Sequence, residues 1–246
     1  MSLDPNRIVS IDLIRGFTVL LMIIYHQIWN LVYFGVLDVN LAAARVQVFP
    51  RTIGSSFLLL AGMSLYLSYR KRCRRQPFGD IRRAFLIRGL KIFGWGMMVS
   101  LATAFLMPNW VVFGILHLIG VSIMAGALLL RYAKWTWIAA VGLFAWAVFG
   151  VDIPIHSIWL LPLGITEVYR PMVDYYPVIP WMGMSLIGLS LGRWLYPQGA
   201  PAQAKGHASS ASLRLLHWAG QRSLPIYLIH QPLLLGATYL VVLAFG

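Results

Sequence analysis

Charge is scarce in this chain. Asp, Glu, Lys and Arg make up 11% of its 246 residues, against about 25% in soluble domains. Acids are scarcer still, seven against 20 basic residues, and there is one cysteine. With so few charges the chain could not cover its own surface in water, which excludes an ordinary soluble domain. A single Cys73 excludes an internal disulfide framework and carries no information about redox compartment. The 22 glycines follow no period, which excludes collagen, and the shortage of polar tracts excludes a disordered tail. No Walker sequence, Gly-rich phosphate loop, metal-ligand spacing or Ser-nucleophile motif is present.

What remains is apolar. Hydrophobic residues are 59% of the chain and mean hydropathy is +0.74, values that suit a lipid solvent. The expected fold is an all-α integral membrane protein, a single transmembrane domain over 1–246. A span needs about 20 apolar residues, and seven stretches qualify: 11–34, 52–69, 84–107, 111–130, 135–151, 177–196 and 223–245. The stretch 153–165, broken by Pro154 and Pro162, is too short to cross and reads as re-entrant or interfacial. The segment 197–212, rich in Ala, Gln, Gly and Ser, reads as a linker. The first apolar run follows Asp4, Arg7, Asp12 and Arg15 with no small-residue cleavage site, so it reads as a retained span rather than a signal peptide.

The net charge of +13 could mean nucleic acid, but its distribution assigns it to the membrane. With seven spans, seventeen Lys and Arg fall on one side, nine of them in the run from Arg70 to Lys91. Only Arg45, Arg51 and Arg170 fall on the other. The positive-inside rule then places the N-terminus in the cytoplasm and the C-terminus outside. The Arg70–Arg83 cluster reads as a topology signal touching anionic lipid. Trp29, Trp110, Trp181 and Trp194 lie near span ends, as aromatic-belt residues do. Gly89, Gly96 and the Gly188–Gly192 pair fit close helix packing.

Ionisable groups within a span are costly, which makes each a site candidate. The first span holds Asp12, Arg15 and His26. Asp12 and Arg15 are three apart and can pair; Asp12 is read as a structural polar residue. Arg15 and His26 are eleven apart, which is three turns plus about 20°, so they share a face about 16 Å apart along the axis. Asn30 continues that stripe. Measured from the ends of their spans, two polar layers emerge: Arg15, His230 and Gln231 toward the cytoplasm, and His26, Asn30 and His117 toward the outside. A lone buried His is more often an interhelical tie than a catalyst, and His156, His207 and His217 are given no role. Arg and His on one face in opposite halves of the bilayer suit a tunnel that takes an anionic donor from inside and delivers its reactive end to a base near the outside.

The stretches RIVSIDLIRGFTVLLMIIYH, FGILHLIG, YPVIPWMGMSLIGLSLGRWLYP and RSLPIYLIHQPLLL resemble, in order, the bacterial heparan-alpha-glucosaminide N-acetyltransferase-like membrane family. The first also looks like the Arg-x10-His signature of the wider transmembrane acyltransferase superfamily, which includes acyltransferase family 3. The signature falls on Arg15 and His26. The resemblance implies acyl transfer from cytosolic acetyl-CoA, or another acyl-CoA, to a hydroxyl or amine of a sugar or glycan across a bacterial plasma membrane. His26 would be the general base and Arg15 would support the donor or the catalytic layer. Arg15, His230, Gln231, Arg88 and Lys91 are assigned to the donor side, and Asn30, His117 and Trp181 to the acceptor side. Members often carry an Asp four residues after the His, where this chain has Asn30, which can orient His26 but not balance its charge. The chain is shorter than the lysosomal animal enzyme, so the heparan substrate does not carry over. Lipid and a sugar or glycan are the expected partners, nucleic acid is not, and a homodimer is left open. The competing classes are a small-solute transporter or channel lined by the same Arg and His residues, and a scaffold whose polar stripe is helix glue.

Overall fold

The computed structural model describes residues 8–106, 110–150, 157–166, 174–199 and 210–245. These form helices joined by turns, with no strand among the described residues. The α-helices are α1 (Val9–Tyr33), α2 (Ala44–Cys73), α3 (Phe78–Leu106), α4 (Ile115–Leu129), α5 (Thr136–Phe149), α6 (Val178–Leu195), α7 (Ala211–Gln221) and α8 (Ser223–Phe245).

Among the described residues, five helical segments are long and apolar enough to cross a bilayer: Val9–Tyr33, Ala44–Cys73, Phe78–Phe105, Ile115–Phe149 and Ser223–Phe245. The difference from the seven expected spans lies in the middle of the chain. The expected spans 111–130 and 135–151 become α4 and α5, of 15 and 14 residues. Each is only about 21–23 Å long, against a hydrocarbon core of about 30 Å. A 3₁₀ turn over Leu130–Trp135 joins them and breaks the helix at Tyr132 (φ −102°, ψ 16°). α6 has 18 residues and an extended Ile179 inside its first turn. Helices α2 and α3 outrun their apolar stretches: α2 begins at Ala44, and its last turn carries Arg70, Lys71 and Arg72, cations that suit a helix C-terminus. The stretch 153–165 is described from residue 157 onward, where it forms turns and a 3₁₀ turn at Leu161–Leu163. Tyr175 donates to the Leu161 carbonyl at 2.8 Å, and burial pushes its phenol up to about 12, which keeps it a donor at working pH.

The chain forms two compact units, one of residues 1–57 with 202–246 and the other of residues 58–201. In the second, the core is Leu65, Tyr66, Ile81, Phe85, Ile123, Ala127, Leu130, Ala133 and Leu189. Glycine sets the helix spacing there. A Cβ on Gly188 would run into the Leu59 carbonyl, and one on Gly62 into the Ser185 carbonyl, so the α2 and α6 backbones touch. Gly89 and Gly120 do the same for α3 and α4. Polar side chains finish the helix ends. Ser190 accepts from the Trp137 backbone N–H at 3.0 Å and donates to the Ala133 carbonyl at 2.9 Å, which satisfies groups that the start of α5 would otherwise leave unmade.

In the first unit, α1 and α8 run in the same direction. Val19 and Met22 pack with Ile226 and Tyr227, and Phe34 meets Tyr239 a few turns on. Because the glycine contacts are backbone contacts, overpacking there cannot relax by rotamer change. Gly188→Leu should lower stability by about 1–3 kcal/mol, read as a fall in Tm in detergent. Gly142→Leu, where a Cβ meets nothing within 4 Å, should leave Tm unchanged.

Candidate functional site

The polar residues of the first unit gather at two levels of α1. At its start, Arg15 Nη1 donates to Asp12 Oδ1 at 2.7 Å and to the Gly220 carbonyl at 3.4 Å. His217 Nε2 stands 3.7 Å from Asp12 Oδ2 and receives the Gln221 amide at 3.1 Å. Asp12 and His217 are buried. Two glycines make this crossing of α1 and α7: a Cβ on Gly16 would strike the Leu216 carbonyl, and one on Gly220 the Asp12 carbonyl. The Asp12–Arg15 pair therefore sits in a backbone-to-backbone contact, with the guanidinium reaching across it.

About 16 Å further along α1, His26 meets His230 of α8 edge-to-face, with ring centroids 4.8 Å apart. Each ring is tied by Nδ1 to a carbonyl of its own helix: His26 to Met22 at 2.9 Å and His230 to Tyr227 at 2.7 Å. A carbonyl only accepts, so in both neutral rings the proton is on Nδ1 and the lone pair is on Nε2. Nε2 of His230 is buried and has no hydrogen-bond partner. Two basic nitrogens are thus held at one level with their tautomers set by the backbone. Tyr25 packs edge-on against His26 and Tyr227 beside His230.

One turn beyond, the fully buried Asn30 accepts from Gln231 Nε2 at 2.9 Å. Gln27 donates to Thr238 at 3.1 Å. The polar stripe read along the first span is therefore answered by His230, Gln231 and Thr238 on α8.

The expected two-layer division fails for His230 and Gln231. They lie level with His26 and Asn30, not with Arg15. Counting depth from Ser223 assumes that every span begins at one membrane surface. α7 instead crosses the start of α1, and α8 begins where its neighbours on α1 are Val19 and Met22. That offset raises His230 by two to three turns. His117 belongs to the other unit, where it closes the start of α4. Its Nδ1 accepts from the Gly114 N–H at 3.1 Å, its Nε2 lies 3.4 Å from Ser100 Oγ, and its ring stacks on Phe113. Asp174 Oδ2 accepts from the adjacent Ile115 N–H at 3.0 Å. With both ring nitrogens engaged, His117 serves as a helix tie. Arg88 and Lys91 are exposed on α3 and Trp181 packs against Tyr176, all within that second unit. His156 and His207 lie outside the described residues.

Helix α7 and His217 were missed. The segment 197–212 reads as a linker by composition, and that reading obscures the helix signals that follow it. Ser210 caps α7 by accepting from the Leu213 N–H at 3.2 Å, and Leu213, Leu216 and Gly220 recur at helical spacing. Removing one member of the Asp12–Arg15 pair strands the other in a largely buried setting. Asp12→Ala should destabilise the protein by about 3 kcal/mol, checked by thermal unfolding, with Asp12→Glu losing less.

A family model described as heparan-alpha-glucosaminide N-acetyltransferase, catalytic, matches residues 7–232. The match includes both levels of α1, all of α7 and the His230–Gln231 pair. Neither curated proteins nor solved structures yield a match to this chain. Matched over most of its length, this helical membrane protein belongs to the heparan-alpha-glucosaminide N-acetyltransferase catalytic-domain family, a family of acetyltransferases.

Proposed function

We propose that the protein moves an acetyl group from cytosolic acyl-CoA to a hydroxyl or amine of a sugar or glycan on the outer side of the membrane, with His26 as general base. The observation that carries this reading is the His26–His230 contact. An acyl-transfer site needs a neutral base with an open lone pair, and the Met22 carbonyl leaves that lone pair on His26 Nε2. The family membership supplies the reaction class.

An acyl-CoA brings an already activated thioester, so the protein's own task is proximity and proton handling. His26 Nε2 takes the proton of the acceptor as its oxygen or nitrogen attacks, and later releases it to the departing sulfur. Such acid/base help is worth about 10²–10⁴-fold, and holding both reactants in place adds to it. His230, at the same level, belongs with the acceptor and the chemistry rather than with the donor's phosphates. Arg15 is the candidate phosphate contact. A guanidinium suits phosphate because its donors form a planar fork.

The orientation that fits is N-terminus in the cytoplasm and C-terminus outside. The charge asymmetry supports it, and so does the shared direction of α1 and α8. On this reading His26 lies in the outer half of a bacterial plasma membrane, where an acceptor from outside reaches it. Purified protein in detergent should release CoA from acetyl-CoA only when an acceptor is added, and His26→Ala should reduce that release at least about 10²-fold while calorimetric CoA binding is retained. His117→Ala should act mainly through a lower Tm. Solute flux in proteoliposomes without CoA release would favour a transporter instead.

A further inference from the structure

Helix α7 has two faces, and only one of them is used by the packing on α1. That inner face holds His217 and Gly220, both buried. The outer face is apolar and exposed: Leu215 keeps 64% of its surface and Trp218 keeps 44%. Arg214, Trp218 and Arg222 follow one another at four-residue spacing, so they line one side of the helix, with Leu215 beside them. The Arg222 guanidinium lies over the Trp218 ring, 5.0 Å from its centroid. The outer face therefore offers an apolar surface edged by cationic heads.

Its place in the fold shows what solvent it meets. α7 touches α1 at Asp12 and Gly16, near the start of a helix that begins at Val9. It passes into α8 through one break in the helix, at Arg222 (φ −112°, ψ 23°). Both α1 and α8 are long and apolar enough to cross a bilayer. A helix at the end where both begin stands where hydrocarbon gives way to headgroups. Further along, α1 exposes Ile14 and Phe17 and α8 exposes Ile229 and Leu233, side chains that lipid covers in a spanning helix. The outer face of α7 continues that apolar surface into the interface. Trp is favoured at this depth, and an arginine can lay its stem on apolar surface while its head stays in the polar layer.

Charge selects the lipid. The run 211–222 contains no Asp or Glu. Among the described residues of this unit the acids are Asp12, buried and bonded to Arg15, and Asp38, beyond the other end of α1. This end of the unit thus carries basic groups and, among the described residues, no exposed carboxylate. We propose that α7 is an interfacial helix whose outer face binds anionic lipid: Leu215 and Trp218 enter the boundary between acyl chains and headgroups, and Arg214 and Arg222 take the lipid phosphates. Apolar residues with Arg among them on a short amphipathic helix suit this role, and one arginine at an anionic leaflet is worth about fivefold in association. This surface stands apart from the acyltransfer reading, and neither depends on the other.

The test uses the full-length protein in lipid nanodiscs, with Cys73→Ser removing the exposed native thiol and Leu215→Cys carrying a bimane fluorophore. Nitroxide placed high on the acyl chain of phosphatidylcholine should quench the label, and aqueous iodide should quench it little. The same nitroxide on phosphatidylglycerol should reach half-quenching at a mole fraction at least about threefold lower, an advantage that shrinks in 0.5 M salt, about the concentration at which the screening length falls to a few ångström. Arg214→Gln together with Arg222→Gln should abolish that advantage and leave the phosphatidylcholine quenching intact, with Tm close to that of the parent. Strong iodide quenching without lipid quenching would put the face in water and overturn the proposal. Quenching by neither reagent would mean that protein, such as a second copy of this chain, covers it, and would overturn the proposal equally. Equal quenching by the two lipids, an advantage insensitive to salt, or one that survives both arginine substitutions would overturn the anionic site.

Discussion

The edge-to-face contact of His26 and His230, 4.8 Å between centroids, is the interaction on which the proposed chemistry of this protein rests. It works because each imidazole is first tied to its own helix. A histidine in an apolar setting must place one nitrogen against an acceptor, and the nearest is a carbonyl one turn back. That bond to Met22 or Tyr227 fixes the tautomer and turns both Nε2 lone pairs outward from their helices. Neighbouring helices then bring two such rings together without any carboxylate among the contacts described between them.

The helix packing that holds this arrangement rests on small residues rather than on large apolar ones. In lipid the hydrophobic effect does little to drive one helix onto another, so close backbone approach and buried polar bonds carry the association. The Gly16–Leu216 and Gly220–Asp12 contacts put α7 hard against the start of α1, and the Asp12–Arg15 pair bonds across the joint. That crossing sets where α8 begins, and so the level of His230. A change at Gly220 is therefore a change at the two-histidine layer, although the two are several turns apart.

Much of this was legible in the sequence. Hydropathy located the apolar helices because a span must be long and nearly uncharged. The eleven-residue spacing located the shared face of Arg15 and His26 because α-helical geometry permits little else. What could not be read was relative depth. Spacing within one helix is rigid, but spacing between helices depends on where each one starts, and a short amphipathic helix such as α7 looks like linker when judged by composition. His230 was consequently placed with Arg15. His117 illustrates a second limit: a buried histidine on an apolar helix reads the same whether it serves substrate or backbone, and only the Gly114 and Ser100 bonds show that it closes a helix end. The number of crossings is a third matter: five helical segments among the described residues are long and apolar enough to cross, because α4 and α5 are each short yet continuous enough in hydropathy to be read as separate spans.

The shared level of His26 and His230 is open to direct measurement. With Cys73→Ser removing the native thiol, the pair His26→Cys and His230→Cys should be joined in the membrane by a short bifunctional thiol reagent, and the pair Arg15→Cys and His230→Cys should not. Joining at 26 and 230 with none at 15 and 230 is the result expected from a single two-histidine layer. The opposite pattern would return His230 to the cytoplasmic level and contradict the account at its centre.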